Sequence, residues 1–155
     1  MKKFLHSCLY AAACSLTVLF VGLFVPRGSF DPNNRFFMER PWEKKLYQKL
    51  HVSKWKSHVP DMSVYIKRLM LKKLGTKTDP EKLKGLIAES CIAEGAHFIL
   101  CILGLGLMLV WEEIGGVICS FLYIIGNLPY IIIQRYNRPR FIKTLKKWQN
   151  KELTV

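Results

Sequence analysis

AEGAHFILCILGLGLMLVWEEIGGVICSFLYIIGNLPYIII, residues 93–133, decides the fold. Two apolar runs, 93–111 and 114–133, each come close to the roughly 20 residues that cross a bilayer as a helix. Between them the chain has only the break WEEIGG (Trp111 to Gly116), where two glutamates and two glycines make a tight, exposed turn. Runs joined so closely must be antiparallel neighbours, a helical hairpin. With the turn centred between Glu112 and Glu113, His97 falls level with Leu128 and Glu94 with Ile131. Glu94 and His97 on one helix therefore neighbour Asn127, Gln134 and Arg135 on the other.

Toward the N-terminus lies a third apolar run, residues 4–25. The preceding Met-Lys-Lys resembles the start of a signal peptide. No small-x-small cleavage site follows it, and AAAC (Ala11 to Cys14) comes too early. A retained membrane helix is the expectation, with cleavage as the open alternative. The hairpin and this run make an all-α membrane protein with three transmembrane helices in one integral domain. Residues 26–92 form a basic insert and residues 134–155 a basic tail.

Within the insert, DPNN (Asp31 to Asn34) is a turn. Met62, Tyr65, Ile66, Leu69 and Met70 recur at helical spacing against Lys67, Arg68, Lys72 and Lys73, which predicts an amphipathic helix ending at Gly75 and suited to a membrane surface. TDPE (Thr78 to Glu81) starts another helix, with a cap, a proline in the first turn and a glutamate able to close a capping box. It is expected to run straight through the second membrane segment to about Trp111. Pro139 is expected to stop the third segment and to begin a short basic helix reaching Lys151.

Half of the 155 residues are apolar, yet the formal charge is +13. Apolar and charged residues fall in separate blocks, the pattern of a membrane protein. Five cysteines, at 8, 14, 91, 101 and 119, form no C-x-x-C and read as small apolar fillers. No nucleic-acid recognition motif, internal repeat or low-complexity tract is present, so nucleic acid is not an expected partner. Lysines and arginines number two before the first segment, fifteen between the first and second, none in the hairpin turn and seven after the third. This asymmetry places the insert and tail in the cytoplasm of a multi-pass cell-membrane protein.

Chemistry concentrates at the cytoplasmic end of the hairpin. Polar side chains at membrane depth are costly and mark function. Glu94 and His97 share a helix face, and a carboxylate can orient an imidazole and raise its basicity. An interfacial ion pair that merely anchors a helix end is the plain alternative. The run QRYNR places Gln134, Tyr136 and Asn137 among Arg135 and Arg138. A lipid anchor needs only charge, whereas this mixture offers the arginine fork and neutral amides suited to recognition. Lys54, Trp55 and Lys56 alternate cation, aromatic and cation, either for phosphate and stacking or as an interfacial anchor.

NLPYIIIQRYNRPR (Asn127 to Arg140), E-x-x-H at Glu94 and His97, and W-K-x-x-x-P at Trp55, Lys56 and Pro60 together resemble the glycosyl-4,4'-diaponeurosporenoate acyltransferase family. The resemblance runs from about Trp42 to Arg140, in the same order, and covers the last step of staphyloxanthin biosynthesis. It implies an integral membrane acyltransferase that moves a fatty acyl chain onto a sugar hydroxyl of a glycolipid, in the named case the glucose C6 hydroxyl of a carotenoid glucosyl ester. Site roles come from side-chain chemistry. His97 is the expected general base and Glu94 its orienter, with Arg135 and Asn127 stabilising the oxyanion. Arg138, Lys54 and Lys56 are expected to hold donor phosphates. Trp55 and Tyr136 pack sugar or acyl chain, and Gln134 and Asn137 complete the substrate site. One histidine and one glutamate do not make a metal ligand set, so no metal or bound cofactor is expected. Acyl-CoA or acyl carrier protein is the co-substrate, and membrane lipids are the remaining partners. The competing reading is a non-catalytic small membrane protein that binds anionic lipid or a partner through its basic face.

Overall fold

The computed structural model describes residues 1–60 and 80–152. The amphipathic segment expected over Met62 to Met70, its end at Gly75, and Thr78 and Asp79 of the helix start lie outside the described residues. Six α-helices are described: α1 (Lys2–Phe24), α2 (Pro41–Lys49), α3 (Val52–Trp55), α4 (Pro80–Gly104), α5 (Leu107–Val110) and α6 (Ile114–Glu152). No strand occurs among the described residues. Three helical spans, Lys2–Phe24, Pro80–Val110 and Ile114–Asn150, are long and apolar enough to cross a membrane.

The hairpin forms as its sequence requires. Pro80 starts α4 with Glu81 in its first turn, where a missing N–H is harmless and a negative charge meets the helix dipole. α4 and α6 pack along their length, and α1 leans on α4 and α5. The register stays close to the expected one. His97 meets Asn127, one residue from level, and the Cys101 thiol donates to the Ile124 carbonyl at 3.9 Å.

Two stretches depart from expectation, the first being the end of the second span with the turn after it. The second span breaks between α4 and α5 at Gly104 to Gly106. There the Tyr10 hydroxyl of α1 donates to the Leu103 carbonyl at 3.0 Å and lies where a side chain on Gly106 would have to be. The Leu103 carbonyl also accepts from the Gly106 N–H at 2.9 Å, so the Tyr10 hydroxyl is its second donor and ties α1 to the break. Trp111 likewise lies against Gly115 and Gly116, so these glycines open α6 under the tryptophan instead of forming the turn itself.

The second departure is Pro139. It does not stop the helix: α6 runs unbroken through Pro129 and Pro139 to Glu152. Proline inside a helix costs about 3 kcal/mol. Arg135 and Arg138, on the turn before Pro139, are both locked onto other elements, as described below, and this fixes the helix where proline would release it. At about 1.5 Å per residue, α6 far exceeds the roughly 30 Å hydrocarbon layer. Its basic half therefore projects beyond the bilayer.

At the far end of the bundle Lys3 donates to Glu113 at 2.5 Å, which holds that carboxyl below its usual range. The start of α1 and the hairpin turn accordingly share one end. Ser15 and the Tyr123 hydroxyl lie 2.8 Å apart and tie the middle of α1 to α6.

Candidate functional site

Where α4 and α6 meet the insert, an arginine–carboxylate clasp closes the bundle. Arg135 directs all five of its N–H groups at acceptors. Nε and Nη2 reach Glu43 Oε1 at 3.1 and 2.5 Å. Nη1 reaches Glu94 Oε1 at 2.6 Å and the Phe36 carbonyl at 2.8 Å, and Nη2 reaches the Met38 carbonyl at 3.1 Å. Arg138, 1% exposed, donates to Ser90 Oγ and Ser90 O, each at 2.9 Å, to the Phe37 carbonyl at 2.8 Å and to Glu94 Oε2 at 2.5 Å. Its guanidinium also lies over the Phe37 ring, 5.0 Å from the centroid. Tyr47 donates to the second Glu43 oxygen at 2.7 Å. Burial first, and then that bond, push the phenol well above its usual range. Two carboxylates against two guanidiniums leave the buried cluster neutral, which permits it at this depth.

This clasp corrects three expected roles. Glu94 does not orient His97, because both of its oxygens are held by arginines. Arg135 has no donor left for an oxyanion. Arg138 is buried and cannot hold a donor phosphate. The arginine forks recognise the protein's own carboxylates and the carbonyls of residues 36–38, stitching the insert to the hairpin.

Chemistry remains open one turn deeper. His97, half-buried on α4, places Nδ1 2.8 Å from Asn127 Oδ1. The Asn127 amide is fixed because its Nδ2 donates to the Tyr123 carbonyl at 2.8 Å. Oδ1 must then accept, so Nδ1 carries the imidazole proton and Nε2 presents its lone pair. Tyr130 stacks on the imidazole at 4.5 Å with an interplanar angle of 10°. Asn127 thus orients His97, the role expected of Glu94, with its Oδ1 and one of its two Nδ2 hydrogens engaged by the protein.

Tyr130 also lines a cavity of about 170 Å³, together with Lys56, Pro60, Ile133, Gln134 and Asn137. Lys56 donates to Asn137 Oδ1 at 3.1 Å and lies 4.9 Å over the Tyr136 ring. Three of the expected substrate residues, Lys56, Gln134 and Asn137, therefore converge beside the residue that stacks on His97. The other four do not: Arg138 lies in the clasp, and Tyr136, Trp55 and Lys54 lie elsewhere. Tyr136 is buried between Arg140, 3.4 Å over its ring, and the edge of Tyr47 at 5.6 Å. It packs protein and not substrate. Trp55 donates to the Leu50 carbonyl at 2.9 Å and closes the small core of Tyr47, Val52 and Tyr136. Lys54 is exposed on α3 and lines neither described cavity.

Glu43, Ser90 and Tyr130 escaped the sequence reading. Glu43 sits among lysines in PWEKKLYQK and looks like a solvated face, although its spacing to Tyr47 was a signal. Tyr130 lies three residues from Asn127, on the same helix face, and periodicity could have found it. Among the described residues no three His, Cys, Asp or Glu side chains converge as a metal ligand set.

The family model for glycosyl-4,4'-diaponeurosporenoate acyltransferase matches residues 33–147, a stretch that includes the clasp, His97 and the cavity beside Tyr130. Proteins of that name from Staphylococcus aureus strains bovine RF122 / ET3-1, MRSA252 and N315 are each 27% identical to this chain over 158 residues, covering 94% of it and 92% of the relative. No solved structure matches. The chain is an acyltransferase built from helices of membrane-spanning length. It belongs to the glycosyl-4,4'-diaponeurosporenoate acyltransferase family.

Proposed function

We propose that this protein moves a fatty acyl chain from a thioester donor, acyl-CoA or acyl carrier protein, to a sugar hydroxyl of a membrane glycolipid such as a carotenoid glucosyl ester. The observation that supports this most is His97, held by Asn127, with no partner on Nε2 among the described residues, and stacked on a tyrosine that lines a cavity. Nε2 takes the proton of the sugar hydroxyl while its oxygen attacks the thioester carbonyl. The C–S bond then breaks and the departing thiolate recovers the proton from His97. No acyl-enzyme is formed. Lys56, Ser57 and Gln134 are polar groups lining the cavity that can meet the developing oxyanion and the sugar, in place of Arg135. The cavity is smaller than the roughly 300–1,000 Å³ of pockets that enclose a whole ligand. That suits one hydroxyl-bearing group of a lipid whose remainder stays in the bilayer. Orientation follows the charge asymmetry, with the clasp, insert and tail on the cytoplasmic face of the cell membrane.

Mass spectrometry of total lipids tests this. Cells supplied with candidate glycolipids, including the carotenoid glucosyl ester, should gain a species heavier by one fatty acyl group when they express the protein. They should not gain it with His97→Ala at a matched membrane level. Identical lipid profiles across all acceptors supplied would contradict the reading.

A further inference from the structure

A second cavity, about 430 Å³, lies between the loop of residues 32–39 and the C-terminal turns of α6. Its walls include Phe37, Met38 and Ile142, and Lys143, Lys146 and Lys147 stand around it. Spaced three and four apart, the three lysines share one helix face. None takes an acidic partner among the described residues, whereas Arg138 at the cavity's base is already neutralised by Glu94. Glu39, the one carboxylate lining it, faces Lys44 at 3.8 Å. Three like charges crowded on one face destabilise a helix unless an anion offsets them.

The apolar walls lead toward lipid. Phe36, next to the wall residue Phe37, packs edge-on against Phe98 of α4 at 5.5 Å. Phe98, Ile99 and Ile102 are exposed on that helix within its membrane span. The loop that walls the groove therefore touches the surface that meets acyl chains. Lysines on long apolar stems can reach back to a phosphate at the bilayer surface. At 3.6 residues per turn, Ile142, Lys143 and Lys146 lie on roughly the opposite face of α6 from Tyr130, Gln134 and Asn137, so the groove is separate from the cavity that those three line.

We propose that the groove between residues 32–39 and Lys143, Lys146 and Lys147 binds the phosphate headgroup of an anionic phospholipid, with its chains lying along Met38, Phe36 and Phe98. The inference does not depend on the acyl-transfer reading. Whole protein in neutral detergent, titrated with phosphatidylglycerol or phosphatidylcholine and read by native mass spectrometry, tests it. Lys143→Ala/Lys146→Ala/Lys147→Ala should weaken phosphatidylglycerol binding by roughly a hundredfold, each lysine near a lipid surface contributing about fivefold. Lys45→Ala/Lys49→Ala/Lys54→Ala removes the same charge from exposed positions elsewhere and should change binding by no more than about twofold. All six lysines are exposed, and an unchanged circular dichroism spectrum verifies the fold of each variant. Equal loss in both variants would overturn the proposal in favour of general surface charge. Displacement of bound phosphatidylglycerol by adenosine 3',5'-bisphosphate would overturn it in favour of a soluble phosphate ligand.

Discussion

The clasp and the His97–Asn127 pair lie within a few turns of each other on the same two helices, yet their side chains are used in opposite ways. In the clasp every Arg135 donor and both Glu94 oxygens are engaged by the protein. At His97 one nitrogen is engaged and the other has no partner among the described residues. A polar residue at membrane depth is a candidate for function, but the number of its bonds already satisfied decides between holding the fold and performing chemistry. The most conspicuous residues, the two arginines of QRYNR, belong to the fold. The quieter amides beside them face the cavity.

Substitutions should separate the two regions. The largest effect belongs to the clasp. Arg138→Ala leaves Glu94 buried with one cation fewer, and breaking such a pair costs about 3–5 kcal/mol. The thermal unfolding temperature should fall sharply, and activity should vanish with the fold. Arg138→Lys should restore little, because an ammonium cannot span Ser90, Phe37 and Glu94 at once. Next in size, Asn127→Ala removes the bond that sets the His97 tautomer. Transfer should fall by roughly ten- to a hundredfold, as for the loss of a buried hydrogen bond worth about 1–3 kcal/mol, with kcat affected more than KM. Gly106→Ala forces a methyl group against Tyr10 and should destabilise by about 1–3 kcal/mol, lowering the unfolding temperature without changing the rate per folded molecule. Lys54→Ala marks the low end. It should leave both stability and transfer within about twofold of wild type, as expected of an exposed surface position. A large loss there would place α3 in the site after all.

What was legible in the sequence follows from range. The hairpin, its register and the His97–Asn127 encounter rest on apolar run length and on one short turn, so local arithmetic sufficed. Glu43 lies about ninety residues from Arg135, and no periodicity links an insert to a hairpin. The arginines therefore looked unpaired and were assigned to ligands they cannot reach. The Glu94–His97 spacing was read correctly as one helix face, yet a shared face does not decide which of two neighbours a carboxylate prefers. Two guanidiniums outbid one imidazole, because charge-assisted bonds in a desolvated setting are the stronger ones. Pro139 misled for the same reason. Its local cost is real, but tertiary bonds from Arg135 and Arg138 hold the helix through it.

The central claim is that His97 does the chemistry while the clasp beside it holds the fold. The most direct measurement is the rate of acyl-glycolipid formation by purified His97→Ala, with its thermal unfolding temperature recorded on the same sample. The account predicts a rate lower by roughly 10²- to 10⁴-fold at an unfolding temperature close to wild type. A wild-type rate from folded His97→Ala would contradict it.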